Sequence, residues 1–184
     1  MTVLPTLLHL NGPPGIGKST LAALWAERHP GTLNLDSDTL HRLIGGWRDE
    51  DGATHQIVRP LALAMAATHL QGGRDVVMPQ FLGRLTEIQK FEQVALTNGG
   101  VFREVVLLAD KPESIARFER REDVSEWDEH NRALVARLGG HAFLAAMYDQ
   151  LHEALASRAS AVIVRSGQGA IEETYAAIEE ALRT

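Results

Sequence analysis

Short apolar runs alternate along the chain with longer stretches in which apolar residues recur at helical spacing. The first run, Leu4 to Leu10, ends in Asn-Gly-Pro-Pro-Gly and is followed at once by Leu21, Leu24 and Trp25, which have the spacing of a helix. Further strands are predicted at residues 33–35, 75–78, 105–108 and 161–164. Further helices are predicted at residues 58–70, 85–96, 112–121, 128–156 (with a candidate break at Gly139-Gly140) and 171–182. This alternation predicts an α/β fold, in which a five-stranded parallel sheet carries helices on both faces and a ligand lies beyond the strands' carboxyl ends.

The composition limits the class of protein further. The 184 residues carry 18 Lys and Arg against 24 Asp and Glu, a net charge of −6, and include no Cys. We expect a single domain over residues 1–184, with neither a disulfide framework nor a cysteine nucleophile. No apolar run reaches the roughly 18 residues that a membrane span needs, and the first residues lack the basic start of a signal peptide, so we expect a cytoplasmic protein. The net negative charge argues against a broad nucleic-acid surface and favours small ligands.

A glycine-rich motif joins the first predicted strand to the first predicted helix. Its residues are Gly12, Pro13, Pro14, Gly15, Ile16, Gly17, Lys18 and Ser19. They match G-x-x-x-x-G-K-[ST] at every fixed position. Glycines let successive N–H groups turn inward around an anion, and the helix N-terminus adds the positive end of its dipole. Lys18 then supplies a charge for the β- and γ-phosphate oxygens and Ser19 a hydroxyl for Mg²⁺, so the motif predicts a nucleotide-phosphate site.

Two carboxylates stand at the end of the second predicted strand, in the sequence Asp36-Ser37-Asp38. This position faces the crevice that the glycine-rich loop borders. One carboxylate would hold Mg²⁺ through water, and the other would accept the proton of an acceptor hydroxyl as it attacks the γ-phosphorus. Asp and Ser also favour helix N-caps, and capping alone would account for one of the two acids. The residues themselves leave open which carboxylate has which role.

The stretch from Gly12 to Arg42 resembles the kinase domain of phage-type polynucleotide kinase and its small-molecule kinase relatives. The resemblance rests on the glycine-rich motif, on Ser19-Thr20, on His29-Pro30-Gly31 and on the sequence from Asn34 to Asp38. Shikimate and gluconate kinases are similar in the same loop and in the Asp-x-Asp pattern. The resemblance implies a three-layer P-loop kinase fold with a helical lid, and ATP and Mg²⁺ as cofactors. It also implies Asp38 as the general base, with Asp36 and Ser19 on the metal side.

One position departs from the polynucleotide kinases. Three residues after the catalytic aspartate those enzymes carry an arginine that helps to hold the substrate phosphate, whereas this chain has His41, with Arg42 next. The departure argues against a polynucleotide acceptor. His41 and Arg42 are candidates for binding a different acceptor.

A charged segment, Arg117 to Arg121, follows the fourth predicted strand. Arg117 and Arg121 are four residues apart and therefore share one helical face, from which both guanidinium groups would reach the phosphates. In the kinases that the chain resembles, a lid at this place closes over ATP, and arginines at these spacings neutralise charge on the γ-phosphoryl group. The resemblance places the lid at about residues 112–140. The alternative is a solvated charged helix whose arginines pair with neighbouring acids.

Weaker signals follow the third and fifth predicted strands. Gln80 and Arg84 come after the third strand, where no acid occupies residues 76–81, and are either acceptor contacts or ordinary loop residues. Gly167 and Gln168 stand between the last strand and the last helix, where related kinases enclose the adenine base.

The aromatic and histidine residues do not indicate a particular binding site. Trp47 and Trp127 are interpreted more readily as packing residues than as the lining of a pocket. The eight histidines show no zinc-ligand spacing.

Together these features predict an enzyme, an ATP- and Mg²⁺-dependent phosphotransferase that moves the γ-phosphoryl group to a hydroxyl of a small molecule such as an antibiotic, sugar, nucleoside or metabolite. The predicted catalytic residues are Lys18, Asp38 and Arg121. The predicted ATP site comprises residues 12–20, which end at Thr20, together with Arg117, Arg121, Gly167 and Gln168. Two alternatives are a 5′-hydroxyl polynucleotide or nucleoside kinase and a nucleotide-dependent switch. Neither the acceptor's identity nor the oligomeric state follows from these motifs.

Overall fold

The computed structural model describes residues 4–48, 53–122 and 125–183, so residues 123 and 124 of the expected lid lie outside it. The strands are β1 (Thr6–Asn11), β2 (Leu33–Asn34), β3 (Val76–Met78), β4 (Val101–Leu108) and β5 (Val162–Arg165). The helices are α1 (Lys18–Arg28), α2 (Ser37–His41), α3 (Thr54–Gln71), α4 (Leu85–Thr97), α5 (Lys111–Arg120), α6 (Glu126–Arg137), α7 (His141–Ala156) and α8 (Ile171–Arg183). The predicted alternation of strands and helices is confirmed in order and in type.

Several boundaries differ from the sequence prediction. β4 begins four residues early, at Val101, because its first half pairs with β1 from Thr6 onward. The predicted helix 128–156 is two helices, because Gly139 and Gly140 adopt φ angles of 116° and 56°, which only glycine tolerates readily. α2 is a short helix of five residues, although Leu40, Leu43 and Ile44 have the apolar spacing of a longer helix.

The sheet is parallel throughout and has the strand order β2-β3-β1-β4-β5. β1 therefore lies at the centre, and β3 separates it from β2. Because parallel strands end at the same edge, the loops that follow β1, β2 and β3 meet there. This edge brings the glycine-rich loop close to Asp36 and Asp38.

Two apolar cores pack on the two faces of the sheet. Leu7 and Met78 belong to the core that α3 and α4 cover, whereas Leu8 and Val77 face the core that α1 and α8 cover. This division follows from the strand period of two, which sends adjacent side chains to opposite faces. None of the helices in the described ranges is long and apolar enough to cross a membrane.

A buried polar network lies behind the glycine-rich loop. Glu104 of β4 is 3 % exposed and accepts hydrogen bonds from Asn11 Nδ2 (3.2 Å) and from Arg158 Nε (3.0 Å). Arg158 also donates to Glu92 at 2.6 Å, which balances its charge. Buried charges are tolerated when they are paired and hydrogen-bonded in this way, so the network joins β1, β4 and α4 to the segment after α7.

Candidate active site

The glycine-rich loop depends on glycine at Gly12, where another backbone approaches closely, and at Gly17, which has a positive φ angle. Gly12 has φ 142°, and a Cβ atom there would lie 2.5 Å from the carbonyl oxygen of Leu107. Gly17, with φ 102°, is the N-cap of α1 and offers no side-chain hydrogen bond to the first N–H groups of the helix. Uncapped N–H groups at a helix start bind anions such as phosphate. The predicted strand, loop and helix around the motif are therefore confirmed, with the geometry that phosphate binding requires.

Asn11, the last residue of β1, holds the start of this loop. Its Oδ1 accepts hydrogen bonds from the N–H groups of Gly12 (2.8 Å) and Leu82 (3.1 Å). Its Nδ2 donates to the Leu82 carbonyl at 3.0 Å. Asn11 is fully buried and thus fixes the glycine-rich loop to the loop between β3 and α4, which carries Gln80.

Lys18 lies over the same loop. Its Nζ donates hydrogen bonds to the carbonyl oxygens of Gly12 (2.8 Å) and Pro13 (2.9 Å). Burial lowers the pKa of Lys18 to about 8, although the nearby carboxylates of Asp38 and Asp36 oppose this effect. A desolvated ammonium at this place interacts strongly with negative charge, because the local dielectric is low.

The two carboxylates after β2 have different surroundings. Asp36 is the N-cap of α2, and its Oδ1 accepts a hydrogen bond from the N–H of Asp38 at 3.0 Å. Capping therefore accounts for Asp36 and leaves the side chain of Asp38 uncommitted to the helix. The Asp38 side chain lines a large cavity beside Lys18.

Burial raises the pKa of Asp38 to about 6, and repulsion by Asp36 adds to the rise. Trp127, Lys18 and Arg121 oppose it. The indole Nε1–H of Trp127 is buried near this carboxylate but does not meet hydrogen-bond geometry. A carboxylate with a pKa near 6 is ionised at neutral pH and is a stronger base than an ordinary aspartate.

Two cavities adjoin at the glycine-rich loop. The larger cavity has a volume of about 1040 Å³ and the smaller cavity about 300 Å³. They share Gly15, Gly17, Thr20 and Arg121 in their linings. Lys18 and Asp38 line only the larger cavity, and Gly167 and Gln168 line only the smaller one.

The two predicted lid arginines have different environments. α5 ends at Arg120, and Arg121 has extended backbone angles, so the predicted helical face does not continue from Arg117 to Arg121. Arg117 lines only the smaller cavity, donates to the Ser166 carbonyl at 2.9 Å and pairs with Glu113 at 2.9 Å.

Arg121 forms an ion pair with Asp128 of α6 and lines both cavities. It is therefore the arginine that lies at the junction of the two cavities.

The predicted acceptor residues divide into two groups. His41, which is 2 % exposed, and Gln80 line the larger cavity. Arg42 and Arg84 are exposed ends of α2 and α4 and do not contribute to its lining. The structure therefore does not place these two arginines in the lining of the candidate site, because each stands at an exposed helix end.

Most of the larger cavity comes from residues that the sequence did not indicate. Trp47 and Trp127 pack against each other, as the sequence suggested, and they also line this cavity. In the sequence, the cavity-lining residues of α6 are recognisable only by a spacing that places them on one face of a helix. These residues are Trp127, His130, Asn131, Leu134, Val135 and Leu138. Without the fold, this spacing is the same as that of a helix packed on a core.

The donors present suit a magnesium ion. No group of three or more His, Asp or Glu side chains is arranged to hold a metal within residues 4–48, 53–122 and 125–183. Mg²⁺ typically takes only one or two protein oxygens beside phosphate and water. Asp36 and Asp38 are close enough to repel each other, and a divalent cation near them would relieve that repulsion.

Solved structures of two small-molecule kinases and of a resistance protein are similar to this chain in fold. The shikimate kinase from Acinetobacter baumannii in complex with shikimate has a TM-score of 0.65 at 18% identity, over 98% of this chain and 94% of that chain. The gluconokinase from Sinorhizobium meliloti 1021 has a TM-score of 0.59 at 17% identity, over 98% and 97%. The tunicamycin resistance protein of Deinococcus radiodurans has a TM-score of 0.59 at 18% identity, over 95% of each chain. At these identities the likeness establishes the fold, which is the P-loop kinase fold.

A comparison with curated proteins gives no match. The AAA_33 family, described as an AAA domain, matches residues 7–138. This range contains the glycine-rich loop, both carboxylates after β2 and the two lid arginines. Because the match extends over more than half of the sequence, the chain belongs to the AAA_33 family of AAA domains.

Proposed function

We propose that this protein is a kinase that transfers the γ-phosphoryl group of ATP to a hydroxyl of a small molecule bound in the larger cavity. The observation that carries the proposal is the meeting of the two cavities at the glycine-rich loop, with Lys18 and Asp38 on the larger side. ATP would place its base in the smaller cavity, against Gly167 and Gln168, and its phosphates along residues 12–20.

Asp38 would act as the general base. Its carboxylate takes the proton of the acceptor hydroxyl while that oxygen bonds to the γ-phosphorus and the bond to the β,γ-bridging oxygen breaks, which releases ADP. The raised pKa of Asp38, about 6, supports this role, because a base is most effective when its pKa is near the working pH.

Cationic groups would neutralise the charge of the transferring phosphoryl group. Lys18 lies at the loop, and Arg121 lies at the junction of the cavities. Bound Mg²⁺, held by Ser19 and through water by Asp36, would supply further charge neutralisation on the phosphate oxygens. Arg117 and Thr20 would contribute to nucleotide binding from the wall of the smaller cavity.

The test is turnover with ATP and Mg²⁺ against a panel of aminoglycosides, nucleosides, sugars and 5′-hydroxyl oligonucleotides. The wild type is compared with Asp38→Asn and with Asp149→Asn, a matched change at an exposed aspartate that pairs with Lys111. We expect phosphorylation of one acceptor class, a loss of about 10²–10⁴-fold in Asp38→Asn, no loss in Asp149→Asn, and unchanged ATP binding in both.

A nucleotide-dependent switch gives the opposite result. It would bind ATP, phosphorylate no acceptor and hydrolyse ATP at the same rate in Asp38→Asn as in the wild type. That outcome would reject the kinase mechanism.

A further inference from the structure

Five aromatic rings meet at the end of the larger cavity next to Asp38. Trp127 stacks on His41 with ring centroids 4.7 Å apart, and His41 meets His55 edge-on at 4.4 Å. Trp47 lies 5.8 Å from Trp127 and 5.5 Å from His130. All five side chains line the cavity. Because His41 is only 2 % exposed and packs against Trp127 and His55, the other four rings are the ones that can contact a bound molecule. We call these five residues the aromatic cluster.

An apolar wall continues from this cluster. α6 and α7 contribute Leu134, Val135, Leu138, Phe143 and Met147 to the lining. Leu138 is 51 % exposed although it lies in a cavity wall. Apolar surface in a concave site gains free energy when a ligand covers it, so this wall favours a ligand with apolar substance beyond its reacting hydroxyl.

The charged side chains that line the larger cavity are Lys18, Asp38, Arg59, Arg121 and Glu122. Among the described lining residues, Arg59 pairs with Glu87 and Arg121 pairs with Asp128. Lys18 belongs to the phosphate loop. Binding of a polynucleotide depends on cations free to contact its phosphates, so this lining does not suit a polyanionic acceptor.

Uncharged hydrogen-bonding groups in this lining are divided among Ser19 and Thr20 of the phosphate loop, the aromatic cluster, and the side chains of Thr54, Gln80 and Asn131. Thr54 is 4 % exposed, and the Gln80 Oε1 accepts a hydrogen bond from the Ser37 hydroxyl. The apolar wall itself contributes no hydrogen-bonding side chain. A polyol would leave many of its hydroxyls facing the apolar wall, where unpaired polar groups are costly. A volume of about 1040 Å³ is at the upper end of the range for sites that enclose drug-sized ligands.

We propose that the acceptor is an uncharged amphipathic alcohol whose flat aromatic or conjugated ring binds against the aromatic cluster and the apolar wall. The inference rests on the proposed function only in holding that the hydroxyl of the bound alcohol is phosphorylated. What the cavity binds is a separate question, which a binding measurement answers. Trp47 and Leu138 determine the specificity in this account, and Asp38 faces the hydroxyl.

Isothermal titration calorimetry with a matched pair of probes tests the proposal without any phosphoryl transfer. Phenyl β-D-glucoside and methyl β-D-glucoside present the same hydroxyls and differ only in the aromatic ring. We expect the phenyl compound to bind at least about tenfold more tightly, because ring stacking and burial together exceed 1.4 kcal/mol. The sugar-free aromatic alcohol 2-(2-naphthyl)ethanol should also bind, and its binding should not depend on salt.

Substitutions show which side chains cause the preference for the phenyl compound. Trp47→Ala and Leu138→Ser should each reduce the ratio of phenyl to methyl affinity by about threefold or more, a fraction of the ring's contribution. Leu96→Ser is the matched control, since Leu96 is 58 % exposed on α4 and does not line the cavity. It should leave the ratio unchanged, and thermal unfolding should show that all three variants are folded.

Three results would overturn the acceptor class. They are equal affinity for the two glucosides, a phenyl preference that survives Trp47→Ala and Leu138→Ser, and no binding of either aromatic probe at millimolar concentration. Tighter binding of a 5′-hydroxyl oligonucleotide, with affinity falling steeply as salt rises, would also overturn it. Aromatic probes that bind as expected but receive no phosphate with ATP and Mg²⁺ would instead count against the proposed function and leave the binding inference standing.

Discussion

The phosphate side and the larger cavity are adjoining parts of one site, but they are built in different ways. The phosphate side is one continuous segment, Gly12 to Thr20, whose function depends on backbone N–H groups and on a single lysine. The larger cavity gathers side chains from α2, α3, α5, α6, α7 and the loop after β3. Chemistry that depends on backbone geometry requires a fixed local sequence, whereas a cavity made of side chains can be assembled from many sequences. The two parts should therefore respond differently to substitution.

The largest effect should come from the phosphate side. Lys18→Met removes the buried ammonium that the loop carbonyls of Gly12 and Pro13 hold. We expect kcat/KM for phosphoryl transfer to fall by about 10³-fold or more, because preorganised charge at a transferring phosphoryl group is worth several kcal/mol. Lys111→Met, at an exposed lysine paired with Asp149, is the control and should remain active. An active Lys18→Met variant would disprove phosphate binding by this loop as the basis of activity.

The second prediction concerns the residue that joins the two parts. Asn11→Ala removes a partner of four buried groups, the N–H of Gly12, both the N–H and the carbonyl of Leu82, and the Glu104 carboxylate. We expect the free energy of unfolding to fall by about 3 kcal/mol, since each unsatisfied buried group costs about 1–3 kcal/mol and some relaxation occurs. Urea unfolding measures this. Asn34→Ala, at an exposed position of β2, should change stability by less than about 0.5 kcal/mol, and an equal loss in both variants would contradict the role of Asn11.

The third prediction separates the two lid arginines, which the sequence treats alike. Arg121→Ala should lower kcat by about 100-fold, because Arg121 lies at the junction of both cavities and would stabilise charge formed only during transfer. Arg117→Ala should raise KM for ATP by about tenfold with kcat little changed, because its guanidinium holds the Ser166 carbonyl beside the smaller cavity. Steady-state kinetics with varied ATP tests both. Equal effects on kcat would show that both arginines act on the same step.

These contrasts also explain how much the sequence could predict. The five parallel strands, the helices and the glycine-rich loop are encoded by local pattern, and the structure confirms them. The role of Asp36 as an N-cap was available from its position before Ser37, since capping depends on neighbours in the chain.

The aromatic cluster was not predictable in the same way. Trp47 and Trp127 are 80 residues apart in the sequence and meet only in the folded structure, where both line the larger cavity. Their spacing from other apolar residues is that of ordinary packing. Arg42 and Arg84 illustrate the opposite error, because they stand beside the right motifs in the sequence but are exposed in the fold. In both cases the packing of the elements determines whether a side chain lines the cavity, and no local sequence pattern encodes that packing.

The smallest effect should be a gain in stability at the place where the two parts meet. The folded protein raises the pKa of Asp38 from 3.8 to about 6. Between these pH values the folded state binds more protons than the unfolded state, so this group lowers the free energy of unfolding as pH rises from about 4 to about 6 and then has a constant effect. Asp38→Asn removes that cost, and we expect the variant to be more stable than the wild type by about 2 kcal/mol at pH 7.5.

Urea unfolding at several pH values between 4 and 8 measures the difference between the two proteins. The difference should grow through pH 4–6 and level off above that range, while Asp149→Asn, at a more exposed aspartate, should show no such growth. A difference in stability that is constant from pH 4 to pH 8 would mean that folding does not raise the pKa of Asp38. A gain in stability combined with loss of phosphoryl transfer would instead indicate that the fold gives up stability at Asp38 to keep a base between the phosphate loop and the larger cavity.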